Sequence, residues 1–190
     1  FNNTWEISAV PYIPVPLLIQ QHMENLLAED VSGLMLSWTL GGYPSPNLEV
    51  AKEYYYAPQP SGAEVLEGVA KRHYGADAAP QVLAAWKQFS TAFLEFPYGV
   101  VAGYNIPLQH GPSNPLRLQP TDYRAGMILF PYDDLKHWLG PYSADTARQQ
   151  FEKLAQLWES GLEQFRRALP RVPKERAAAA RKDLGVAETC

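Results

Sequence analysis

Proline punctuates this chain. It accounts for 17 of 190 residues, and most of them gather in clusters: Pro11, Pro14 and Pro16; Pro44 and Pro46; Pro58 and Pro60; then Pro97, Pro107, Pro112, Pro115, Pro120, Pro131 and Pro141. Each ring holds φ near about −65° and removes an N–H donor, so the clusters are stiff loops and regular elements must fit between them. Several clusters carry aromatics drawn from 11 Tyr and 5 Trp. Rigid aromatic loops of this kind suit ligand binding as well as packing.

Between the clusters, periodicity assigns the elements. Pro16 stands at a favoured first-turn position, and Ile19, Met23, Leu26 and Leu27 then make one apolar stripe, which predicts a helix over 16–29. The run Val31 to Leu40 is short, nearly continuously apolar and closed by Gly41-Gly42. Such a run between helices reads as a parallel strand buried on both faces. A short helix follows from about Asn47, taken as its cap, to Tyr54. From about Pro58 the pattern turns helical with irregular connections. Helices are expected over 63–73, ending before Gly75; over 79–96, with Val82, Trp86, Phe89, Phe93 and Phe96 on one stripe; and over 144–169, with Phe151, Leu154, Trp158, Gly161 or Leu162, and Phe165 at helical spacing. After Pro170 and Pro173, a last helix is expected over 174–184.

Composition excludes several classes. A formal net charge of −4, with Lys and Arg interspersed among Glu, Ala and Asp, gives no nucleic-acid footprint. No apolar run approaches the roughly 20 residues of a membrane span. The lone Cys190 excludes an internal disulfide framework, and His22, His73, His110 and His137 form neither an HxH nor an HExxH pair, so no metal site is expected. No nucleotide fingerprint is present, and Ser32, Ser37 and Ser45 lack a nucleophile elbow. No cofactor is implied. Asp133-Asp134 reads as a helix cap before Leu135, Trp138 and Leu139, and Tyr54-Tyr55-Tyr56 as packing between the two parts of the chain.

Phe1-Asn2-Asn3-Thr4-Trp5-Glu6 reads as the end of a strand with no beginning, which makes the chain a piece of a longer protein. Asn3-Thr4-Trp5-Glu6 together with Gly33 to Gly42 resembles the last two β/α units of a (β/α)8-barrel glycoside hydrolase, and the remainder resembles a helical region that follows such barrels. The expected fold class is therefore α/β: residues 1–57 closing a TIM-type barrel and residues 58–190 forming a truncated α-helical domain. The resemblance implies chemistry at the C-terminal ends of the strands, with Glu6 as catalytic nucleophile. It also implies a sugar subsite of Asn3, Trp5, Trp38, Gly41, Gly42 and Tyr43. Its partners would be a carbohydrate substrate and the missing N-terminal portion of the same barrel, which would supply the second carboxylate.

Plainer readings stand beside these. Glu6 can hydrogen-bond a substrate or pair with a buried Arg without doing chemistry. Trp5 and Trp38 can stack on a sugar or sit in a core. The Gly41-Gly42 turn lets backbone approach a ligand. A non-catalytic carbohydrate-binding or scaffolding protein is the alternative, and a purely structural helical module, with Trp and Tyr in its core, is a third reading.

Overall fold

The computed structural model describes residues 11–34, 44–56, 61–97, 118–120, 122, 134, 136 and 139–190. Within them lie six α-helices: α1 Pro16–Ala28, α2 Pro46–Glu53, α3 Gly62–Tyr74, α4 Ala79–Phe93, α5 Ala144–Ala168 and α6 Ala177–Thr189, with a 3-10 turn Leu169–Arg171 after α5. Helix accounts for 69% of the described residues, and no strand occurs among them, which overturns the α/β class, the TIM-barrel units and the likeness to a glycoside hydrolase barrel.

The physical reason for the correction lies at the exit of α1. Asp30 adopts a left-handed conformation (φ 52°), where a short polar side chain is tolerated, and it turns the chain out of the helix. Val31 and Leu34 then lie 42% and 44% exposed in irregular structure, whereas a strand covered on both faces would bury them. Residues 35–40, the rest of that expected strand, and residues 1–5 lie outside the described residues. Meanwhile the stripe of α1 is already satisfied: Ile19 and Met23 are buried where α1 packs on α2, α3 and α4, so no sheet is needed beneath it. Leu27, at the edge of the expected stripe, is 38% exposed. A short apolar run carries no periodicity that separates a strand from other structure, and here neighbouring helices decide.

Local chemistry sets the helix starts. Pro16 and Pro46 stand in the first turns of α1 and α2, where a missing N–H costs nothing. Ser45, not Asn47, caps α2: its hydroxyl accepts the Leu48 N–H at 3.3 Å. Asn47 is instead buried inside the helix and donates from Nδ2 to the Ile13 carbonyl at 2.7 Å, tying the chain ahead of α1 to α2. Replacing the buried Ser45 with alanine is expected to cost about 1 kcal/mol of stability, read as a lower urea midpoint with an unchanged slope. Ser61 and Glu64 form a reciprocal capping box on α3, and Ser143 caps α5.

The helices 63–73, 79–96 and 144–169 expected from periodicity match α3, α4 and α5, with α4 closing earlier, at Phe93. Gly75 ends α3 at φ 88°, and a Cβ there would sit 2.7 Å from the Pro173 ring, so the turn after α3 and the turn before α6 meet on a residue without a side chain. Helices α4 and α5 form the most extensive pairing. Their core is aromatic: Phe89 lies 4.5 Å from Trp158 between ring centroids, Tyr74 meets Trp86 edge-on at 5.9 Å and Phe165 edge-on at 5.5 Å, and Phe96 meets Phe151 at 6.0 Å. The last helix starts later than expected, at Ala177, and runs on to Thr189.

Candidate functional site

The residues expected to carry chemistry do not enter the described structure. Asn3, Trp5, Glu6, Trp38, Gly41, Gly42 and Tyr43 all lie outside the described residues, as do His110, Asp133, Leu135, His137 and Trp138. The described residues between Glu6 and Trp38, and those after Trp38, form helices and no strand, so they supply no part of the barrel that would have placed the two on one face. Of the tyrosine triplet, only Tyr54 packs inward; Tyr55 and Tyr56 are 86% and 56% exposed and meet edge-to-face at 5.6 Å. The Tyr54 phenol is pushed up to about 12 by burial and by the neighbouring Glu24 carboxylate, whose Oε1 accepts its proton at 3.4 Å. His22 is exposed on α1, and His73 is partly buried at the end of α3 beside Tyr74.

A part-buried polar cluster joins residues that the sequence did not single out. Tyr12 and Tyr74, each 1% exposed, donate their phenol protons to the two oxygens of Asp183, at 2.7 Å to Oδ1 and 2.8 Å to Oδ2. Tyr12 precedes α1, Tyr74 is the last residue of α3, and Asp183 lies midway along α6, so the carboxylate joins three remote pieces of chain. Burial, followed by the negative charge of Asp183, drives the Tyr74 phenol well above its ordinary range and keeps it a donor at any physiological pH. Beside the cluster, the Trp158 indole N–H donates to the Ala187 carbonyl at 2.8 Å, and the Cys190 thiol lies 3.3 Å from the Val186 carbonyl and 3.8 Å from that of Tyr12. Burial pushes that thiol up to about 12, which favours the protonated form, and the residue as a whole is half-buried.

This arrangement holds rather than reacts. Each Asp183 oxygen accepts a phenol, and the carboxylate thereby ties the segment before α1 and the end of α3 to α6. Sequence separations of 171 and 109 residues explain why no local spacing revealed the cluster. Among the described residues no group of three or more His, Cys, Asp or Glu side chains is placed to hold a metal ion, and no helix is long and apolar enough to cross a membrane. Charged side chains pair along exposed faces, as in Arg148 with Glu152, Arg167 with Glu163, and Arg166 with both Glu159 and Glu188; Arg72 also pairs with Glu53. The chain matches no family model, no curated protein and no solved structure.

Proposed function

We propose that the helical body is a non-catalytic scaffold. The observation that carries this reading is where the aromatic side chains go. Trp86, Tyr12, Tyr74, Phe89 and Phe165 are the largest side chains enclosed in the described structure; Tyr74 packs edge-on against Trp86 and Phe165, and Phe89 packs on Trp158. The best-built polar cluster is likewise closed on itself through Asp183. A core closed by aromatic packing suits support better than chemistry.

The test is turnover and binding in the intact protein. A panel of nitrophenyl glycosides and oligosaccharides, followed by absorbance and by titration calorimetry, is expected to show no hydrolysis and no change on Glu6→Gln. Release of nitrophenol that falls by orders of magnitude in Glu6→Gln would replace scaffolding with glycosidic-bond hydrolysis. Sugar binding without turnover, weakened by Trp38→Ala, would make the scaffold a carbohydrate-binding one.

A further inference from the structure

Helix α6 lies against α3 and α5 and is fastened differently from the central α4–α5 pair. Helices α4 and α5 interlock through Trp86, Phe89, Trp158 and Phe165, but α6 buries only Ala180, Leu184, Val186 and Ala187, none of them aromatic. Its start has no side-chain cap, and Gly185 sits in its interior with nothing within 4 Å of where a Cβ would stand. A helix of 13 residues with that composition is marginal by itself in water. Directed bonds supplement that small apolar contact: the two phenols on Asp183, the Trp158 indole on the Ala187 carbonyl, and the exposed pair of Arg166 with Glu188 at 3.0 Å. Each bond depends on alignment and is lost together with the others once the helix lifts.

We propose that α6 is a detachable strap, latched by the Tyr12–Asp183–Tyr74 clasp, which opens as a local unit while the α4–α5 core stays folded. Opening uncovers the polar ends of Tyr12, Tyr74 and Trp158, and it frees the Cys190 thiol from its burial. The clasp also links the strap to the chain entering α1, so release of α6 loosens that entry segment at the same time. Regions of a protein with few buried apolar contacts open at lower free energy than the global transition, and α6 has the composition of such a region.

Native-state hydrogen exchange tests this on the intact chain. In the wild-type protein, α6 amides are expected to exchange faster than the core amides of α4 and α5. Asp183→Asn, whose amide turns a donor toward one of the two phenols, is expected to speed α6 exchange on the order of tenfold and leave α4 unchanged. Tyr12→Phe removes one donor and gives a milder effect in the same direction should the asparagine variant fold poorly. Gly185→Ala acts oppositely, since nothing obstructs the added methyl, and it is expected to slow α6 exchange about fivefold. Labelling of Cys190 by a maleimide, read by mass spectrometry, is expected to follow the same order. Exchange of α6 only at the global rate would overturn the proposal, as would a uniform rise across all helices in Asp183→Asn or Tyr12→Phe. Labelling indifferent to these substitutions would count against it equally.

Discussion

Truncating Phe89 to alanine is expected to lower the unfolding free energy by about 3–5 kcal/mol, the range for deleting a fully enclosed phenyl ring. The residue is 0% exposed at the centre of the α4–α5 pairing, with Trp158 at 4.5 Å between ring centroids and the backbone of Gly161 against its edge. The cost has two parts: apolar area returned to water in the unfolded reference, and a cavity that two long helices cannot close without shifting along their whole length. Because folded domains are commonly stable by only about 5–15 kcal/mol, this single change would leave a substantial unfolded fraction near body temperature. Equilibrium denaturation followed by Trp fluorescence measures it directly. A loss under about 1 kcal/mol would mean that the pairing is not the cornerstone of the core.

The second large effect comes from the opposite side of the same contact. A Cβ added at Gly161 would lie 2.5 Å from Phe89 Cε1, 2.6 Å from Phe89 Cδ1 and 3.3 Å from the Ala85 carbonyl, so glycine is there to let the ring and the α4 backbone approach α5. Gly161→Ala is therefore expected to destabilise by about 1–3 kcal/mol, against the gain in helix propensity that alanine would bring at an open position. The two substitutions should not add. With Phe89 already reduced to alanine, the methyl at position 161 enters vacated space, and the double variant is expected to be no less stable than Phe89→Ala alone. A double-mutant cycle that came out additive would show that the ring and the glycine are not in contact.

Gly161 also marks how far the sequence could be read. Periodicity placed α1, α3, α4 and α5 within a few residues, because their apolar stripes repeat over several turns and the pattern needs no knowledge of neighbours. It even put Gly161 or Leu162 on the buried stripe of α5, where both are found. Of the strand expected over 31–40, the described part, 31–34, is irregular, and the run lacks such repetition. A continuous apolar run closed by Gly41-Gly42 suits a buried strand by composition alone, and the likeness to a barrel adds an architecture that the helices contradict. The cap at Asn47 failed more locally: Ser45 and Asn47 are both capping residue types, and only the carbonyl of Ile13, brought near by the fold, decides which of them turns inward. Asp183 was invisible for a related reason. A carboxylate between Lys182 and Leu184 on a mixed helix reads as solvated, and its two phenols arrive from beyond any window of local sequence.

The hydrogen bond from Tyr12 to Asp183 joins residues 171 positions apart, so the loop that it closes takes in α1 to α5. Closing so long a loop costs chain entropy before the contact can offset it, and the clasp therefore belongs to the last stage of folding, after the helices between have packed. Weakening it should speed unfolding and leave the folding rate nearly unchanged.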